Sequence, residues 1–544
     1  MKAQCLPFTQ IPHSTRLFLD FLAYQPAVRP FYPRSPHFPE WMKEEASILR
    51  YDASRRDRVS AILERQNKSW NASPQTLGNV GRLRAGAAAV VTGQQVGLFG
   101  GPMFAIYKAL TAVKLAEEAT AAGIDAVPVF WLATSDHDLA EVNHISVPGP
   151  DGALHKLQTT SQGVPGTPVS DIHFGDEILA VVDEAAALLG DSPATQLLRE
   201  SYRPGETLGT AFARLYARLF AEWGVILLDA SDAGLHRVAE PIYRAAIERA
   251  EELESELTVR GHELEGAGYF QQVKVTPSSV LLFTLADGSR TAIHKRNEGG
   301  YRAPEFVIGT GAGAERLSSE ELLDRIAAAP ERFSPNVLLR PVVEDYLLPT
   351  LAYTGGAAET AYFAQAGAVY KTLLGRVTPV VPRFSATIVE PKVQRWLRQY
   401  DVSVPETFVG PDLLRQTLAA RTLPADLQAA FDAANRSVEG SFGALLKALE
   451  KLDSTLVEAG RTAASKAQYQ LDRLRERATA AESRRSEVVT RHADALSQAL
   501  FPESALQERG VAGIHYVARY GADLLHQLHE ALRTDCHDHQ ILEL

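Results

Sequence analysis

The sequence predicts an α/β fold built on a parallel sheet, interrupted by polar insertions and followed by a helical coiled coil. Three observations predict it. Short apolar runs, "GAAAVVTG", "AVPVFWLATSDHD" and "GVILLDASD", alternate with amphipathic helical segments, which is the rhythm of βαβ units. Between them lie stretches rich in polar residues, glycine and proline, without apolar periodicity. Toward the carboxyl end, a long segment with few prolines carries apolar residues at heptad-like spacing.

Composition sets the bounds. A chain of 544 residues exceeds what one hydrophobic core usually organises, so several structural units are expected. Its hydrophobic fraction of 45% and charged fraction of 22% are ordinary for a globular protein. A net charge of −11 argues against a nucleic-acid or anionic-membrane binder. No apolar run approaches the ~18 residues of a membrane span. The start, "MKAQCLPFTQIPHSTRLF", has no signal-peptide core. Cys5 and Cys536 are the only cysteines and sit at opposite ends, so neither a disulfide framework nor a CxxC zinc cluster is expected. A reducing, cytoplasmic setting fits that usage.

Residues 1–85 read as helices broken by prolines ("AVRPFYPRSPHFP") that wrap the following domain. The core is expected over 86–385, opening with a strand, a helix over Tyr107–Ala122 and a second strand. Insertions are expected at about 146–205 and 260–335. Between them, Leu208, Phe212, Leu215 and Leu219 mark an amphipathic helix that feeds "GVILLDASD", and a charged helix follows over 233–260. Inside the second insertion, "SSVLLFTLADGSRTAIHK" reads as a hairpin about an "ADGS" turn. "SPNVLLRPVVEDYLLPTLAYTGG" then restores strand-then-helix character.

Residues 386–500 read as a helical, coiled-coil domain. Leu445, Leu449, Leu452 and Leu456 keep 4-3-4 spacing, and Ala463, Ala467, Leu471, Leu474, Ala478 and Ala481 resume the seam. Arg473, Arg475, Glu476, Arg484 and Arg485 fill the other faces. A hairpin that pairs only with itself and a dimerisation arm both satisfy the pattern. Over 501–544, "FPESALQERG" precedes an apolar helix, Val511–Leu532, that returns to the core.

Chemistry concentrates in three stretches. In "VVTGQQVGLFGGP", Thr92, Gly93, Gln94, Gln95, Gly97, Gly100 and Gly101 form a bend between a buried strand and a helix. Such a bend offers backbone N–H groups to an anion, and Lys108 in the helix could reach a phosphate. The bend is neither a P-loop nor GxGxxG, and tight helix–sheet packing explains its glycines as well.

The second stretch, "WLATSDHDLAEVNH", ends a strand in Asp136, His137, Asp138 and Glu141. Ionisable groups at a buried strand end must pair, coordinate or catalyse. A histidine flanked by carboxylates suits proton transfer, a hydrogen-bond knot is the plain alternative, and a metal site fits the residue types but no known spacing. In the third, "SPNVLLRPVVEDYLLPTLAYTGGAAETAYF", Asn336 and Arg340 precede Gly355 and Gly356, which open a helix carrying Glu359 and Tyr362. Arg340 suits a carboxylate or phosphate clamp.

At these residues the chain resembles the cysteine-adding enzymes (cysteine ligases) of bacillithiol biosynthesis. The likeness rests on the three stretches above together with "VTPVVPRFSATIVE" and "LFPESALQERG", in the family's order across essentially the whole chain. "ATSDHD" departs slightly, since the family more often has an acidic residue before DHD.

The resemblance implies a Rossmann-type core, nucleotidyl-transferase-like, with two connecting insertions, and a coiled coil used in a homodimer. It also implies joining of the cysteine carboxylate to the amine of glucosaminyl-malate. Activation of a carboxylate in water makes ATP the expected co-substrate, with Mg2+ as a companion. On that view Gly97, Gly100, Gly101 and their neighbours Thr92 and Gly93 hold phosphate, and Gln94 and Gln95 offer neutral hydrogen bonds. Lys108 and Arg340 offset developing charge. His137, oriented by Asp136 or Asp138, takes the proton of the attacking amine. Glu141, Asn336, Gly355, Gly356 and Tyr362 receive substrate, and Glu359 holds the cysteine ammonium. With so few cysteines, selection of cysteine by pocket shape is expected, without a thiolate-rich zinc centre. An assembly partner that binds nucleotide or thiol and works through its coiled coil is the alternative. A nicotinamide-dependent oxidoreductase is disfavoured by the missing GxGxxG.

Overall fold

Five parallel strands make the central sheet: β1 (Ala88–Gln94), β2 (Ala126–Leu132), β3 (Ile226–Asp229), β4 (Thr350–Gly355) and β5 (Val380–Pro382). The structure is a computed structural model that describes residues 1–150, 152–286, 288–296, 305–309, 314–485 and 487–544, without the side chains of 483–485. The side chains of Arg484 and Arg485 and the hairpin residue Asp287 therefore lie outside the description. Spatial order is β3-β2-β1-β4-β5. Connections run one way from β1 through β3 and the other way through β4 and β5, so the order reverses between β1 and β4. In doubly wound sheets that switch point is where a crevice opens at the carboxyl ends of the strands.

The strands are apolar throughout because both faces are covered. Every residue of β2, "AVPVFWL", is buried. Val91, Val129, Trp131 and Leu228 join the core on one face. Ala88, Val90 and Ala126 face the opposite way, onto Ala112, Leu115 and Ala119 of helix α1 (Met103–Ala121). α1 starts one turn earlier than the periodicity predicts, directly after Pro102.

Several expectations need correction. "NVLLRP" is not a strand. Asn336 Oδ1 accepts from the backbone N–H groups of Leu338 and Leu339, and Arg340 opens helix α2 (Arg340–Leu347) with Pro341 in its first turn. The helix expected over 233–260 is two, Ala233–Glu248 and Ala250–Gly266, meeting at Arg249. The apolar helix expected over 511–532 is also two, Gly513–Tyr520 and Asp523–Ala531. Between them Gly521 adopts φ 78°, a conformation an L-residue resists. The hairpin 279–286/289–296 belongs to a five-stranded antiparallel sheet that also contains 305–308, 315–317 and 333–335. The expectation that the cysteines stand apart fails as well. Strand Lys2–Leu6 lies beside His539–Glu543, and Cys5 is disulfide-bonded to Cys536.

The chain divides into two units, Met1–Thr387 with Glu508–Leu542, and Ile388–Gln507 with Glu543–Leu544. The first holds the sheet, and its late segment packs on α1: Val511 O accepts from Met103 N at 2.9 Å and Gly101 O from Gly513 N at 3.1 Å. The second contains a long helical hairpin, Ala425–Leu452 and Leu456–Arg485, tied by Arg475 to Asp432 at 2.6 Å. Leu446 packs where a side chain on Gly460 would stand. Leu445, Leu452, Leu456 and Leu474 remain exposed on this hairpin. No helix among the described residues is long and apolar enough to cross a membrane.

Candidate active site

A cavity of about 750 Å3 opens at the switch point. Gly93, Gln94 and Gln95 reach its wall from the end of β1, and Asp136 and Glu141 from beyond β2. Asn336 and Arg340 reach it from the turn before α2 and from its first residue, and Gly356, Glu359 and Tyr362 from the cap and first turns of helix α3 (Ala357–Leu374).

At its centre Lys108 of α1 is 3% exposed. Its Nζ donates to Gly93 O at 2.6 Å and Gln94 Oε1 at 2.8 Å, and pairs with Glu359 Oε2 at 2.7 Å. All three of its protons are engaged, so Lys108 is a clasp between α1 and α3, not a free phosphate ligand. Burial pulls its pKa down to about 8 against the pull of Glu359. Glu359 also accepts from Tyr353 Oη at 2.5 Å and Gly356 N at 2.8 Å. Burial alone would raise its pKa, but Lys108 and these donors hold it below the usual carboxylate range. Both oxygens accept hydrogen bonds from within the protein, so the role the structure gives Glu359 is to hold Lys108.

The glycine bend is not a phosphate cradle. Gly97 N donates to Gln95 O, Gly100 N to Gly97 O and to Tyr202 Oη, and Gly101 N to Leu98 O. The first N–H of α1 is taken by Val511 O. Gly97, Gly100 and Gly101 are packing residues. A Cβ on Gly97 would lie 2.9 Å from Gly101 Cα, and one on Gly100 would lie 3.0 Å from Leu215 Cδ2. Thr92 is fully buried within the sheet and its hydroxyl donates to Thr354 O at 2.9 Å. Gly355 is likewise off the wall, crowded by Glu359 and Tyr353. Gly93 does line the cavity, where a Cβ would lie 3.5 Å from Arg340 Nη1.

The acidic part of the wall is held by Gln95, whose Nε2 donates to Asp136 Oδ2 at 2.8 Å and Glu141 Oε2 at 2.9 Å. Burial pushes the Asp136 carboxyl up, but Gln95, Arg290 and the His137 N–H outweigh it and keep the group below its usual range. His137 is 40% exposed and off the wall; its Nδ1 is 3.3 Å from Arg290 Nη1 and 3.5 Å from Asp136 Oδ1. Asp138 caps the short helix Leu139–Val142 by accepting from Glu141 N. The residue of the Asp-His-Asp run that meets the cavity is thus Asp136.

Arg340 Nη1 lies 3.2 Å from Glu344 Oε2, and its other terminal nitrogen donates to the Tyr362 hydroxyl. Burial pushes Glu344 up to about 8 despite Arg340. Sequence reading missed Arg290, Arg383, Arg509, His236 and Tyr243, all on the same wall. Burial pulls His236 down to about 4, so it is neutral at pH 7, with Nδ1 2.9 Å from Tyr243 Oη. "PRFS" and "QERG" contain the two late arginines, but no spacing rule marks them as neighbours of α1.

Comparison with known proteins supplies a family. Residues 1–384 match the model "Bacillithiol biosynthesis BshC, N-terminal Rossmann-like domain", and residues 386–544 match "Bacillithiol biosynthesis BshC, C-terminal coiled-coil domain". Three similar proteins carry the name "Putative cysteine ligase BshC". That of Koribacter versatilis is 47% identical over 100% of both chains, and that of Solibacter usitatus 36% over 100% of both. That of Salinibacter ruber is 34% identical, covering 97% of this chain and 96% of its own.

Proposed function

Because the chain belongs to the BshC family, we propose that it is a cysteine ligase of bacillithiol biosynthesis, joining the cysteine carboxylate to the amine of glucosaminyl-malate. The observation that carries this reading is the polarity of one cavity wall. Asp136 and Glu141 supply an acidic part, while Lys108, Arg340, Arg383 and Arg509 supply a cationic part. An amine and a carboxylate entering the same cavity would be drawn to opposite parts and held for attack.

The cavity is of a size that takes a nucleotide-sized ligand, and Arg509, which has no hydrogen-bonded or ion-paired partner among the described residues, suits an anion. ATP, when bound, would supply the activation that makes the cysteine carboxyl carbon open to the amine. Asp136 and Glu141 are the carboxylates that would accompany Mg2+, which normally takes one or two protein carboxylates beside phosphates. The protein's own contribution is positional and electrostatic. Asp136, ionised and fixed by Gln95, orients the amine; Arg340 faces the charge that develops on the carboxyl oxygen. Exposed leucines on the helical hairpin support a homodimer through that unit.

The test is incubation of purified protein with cysteine, glucosaminyl-malate and ATP. The thiol-sugar amide formed with ATP cleavage is expected. Binding of all three without product would favour the assembly-partner reading.

A further inference from the structure

Three cations surround one aromatic ring. Arg383 Cζ lies 5.3 Å, Lys108 Nζ 5.8 Å and Arg509 Cζ 5.9 Å from the centroid of Phe104. All four residues line the cavity. The ring face attracts each cation, but the cations repel one another, so the group is stable only as far as carboxylates offset it.

Two of the three are offset. Lys108 has Glu359, and Arg383 Nη2 has Glu508 Oε1 at 2.6 Å. The Arg383 pair is built in firmly. Arg383 is 8% exposed and donates also to Phe384 O, while Glu508 accepts from Ser385 Oγ and Ala386 N. Gly356 leaves the room it needs, since a Cβ there would stand 3.1 Å from Arg383 Nε. Arg509 is different. It makes no hydrogen bond or ion pair with any other described residue, and it is exposed at the cavity. Burial and the neighbouring Arg383 lower its pKa, outweighing the pull of the Glu508 and Glu359 carboxylates, which are bonded to Arg383 and Lys108.

We infer that Arg509, with Arg383 and Lys108 around Phe104, is an anion-binding subsite whose guanidinium grips an oxyanion of the substrate through two parallel N–H donors. The assignment of the anion rests on the ligase reading: a phosphate of the nucleotide or a carboxylate of the malate end. The subsite itself does not depend on that reading.

Titration calorimetry on the full chain tests it, with pyrophosphate and malate as separate probes and Arg509→Gln and Arg509→Lys as variants. Arg509 has no hydrogen-bonded or ion-paired partner to orphan among the described residues, so both variants should melt with the wild type. Expected is a rise of about 10- to 100-fold in the Kd of one probe in R509Q, with only partial recovery in R509K because an ammonium cannot grip in parallel. Loss confined to pyrophosphate assigns the phosphate; loss confined to malate assigns the carboxylate. Equal affinities in wild type and R509Q, or no binding of either probe by wild type, overturn the subsite. Amide formation separates the two readings. A wild type that binds the anion through Arg509 but makes no product keeps the subsite and sinks the ligase, whereas R509Q with unchanged probe affinities and full turnover does the reverse.

Discussion

Lys108 Nζ and Glu359 Oε2 lie 2.7 Å apart and join the helices that follow β1 and β4, the strands flanking the point where the sheet's order reverses. Removing either partner leaves a buried charge, which costs about 3–5 kcal/mol, whereas replacing both is far milder. Lys108→Met and Glu359→Gln should each lower stability by that order in urea unfolding, and the double variant should regain most of it. Amide formation should be lost in all three. Additive losses in the double variant would mean that the pair is not coupled.

Asp136 meets the cavity and His137 does not. Asp136→Asn should reduce kcat/KM at least about tenfold, or about 1.4 kcal/mol of barrier. His137→Ala should stay within about threefold of wild type in the same assay. A large loss in H137A with little in D136N would restore the histidine as the proton acceptor.

Gly97 distinguishes packing from phosphate binding. Its Cβ position is 2.9 Å from Gly101 Cα, a contact with backbone that cannot swing away. Gly97→Ala should therefore cost about 1–3 kcal/mol of stability, with ATP affinity of the folded fraction unchanged. Weaker nucleotide binding at unchanged Tm would point back to a phosphate loop.

Glu344 gives a pH signature. Its folded pKa of about 8 lies above its unfolded value, so the folded state binds the extra proton between them. That contribution is fully present below the unfolded value near pH 4.5 and is lost as pH rises through about 8. The Tm of the wild type should fall between pH 5.5 and 8 more steeply than that of Glu344→Gln. Parallel Tm profiles would show that Glu344 is ionised throughout.

Leu452 and Leu474 are 78% and 56% exposed on the hairpin. If they form a homodimer face, Leu452→Glu with Leu474→Glu should shift the sedimentation coefficient from dimer to monomer without changing the Tm of the sheet-bearing unit. An unchanged coefficient would leave the hairpin pairing only with itself.

Much of this was legible where side chains follow directly from strand ends. Apolar runs located β1, β2 and β3, and a parallel sheet carries whatever follows its strands to one rim, which is why Gln94, Gln95 and Asp136 met. In the third stretch the strand was misplaced onto the run before Arg340, and only the glycine pair at 355–356 marked the helix that brings Glu359. Thr92 was misassigned because a pattern cannot separate the last sheet residue from the first loop residue, and here the hydroxyl closes onto Thr354. Lys108 was ambiguous because burial of a lysine depends on a partner supplied elsewhere. Arg383 and Arg509 carry no periodicity at all. The cysteines were misread for the same reason, since their meeting is a property of two strands from opposite ends of the chain.

The late segment that closes over α1 has a consequence for synthesis. Lys114 Nζ and His529 O meet at 3.5 Å across 415 positions of chain. At about 5–20 residues per second a ribosome needs about 20–80 s to cover that distance. Until position 359 is made Lys108 has no carboxylate partner, and until the late segment follows the nascent core lacks Arg509 and the cover on the start of its first core helix. A chain cut short before that segment leaves the first N–H of α1 without Val511 O, its acceptor in the finished protein.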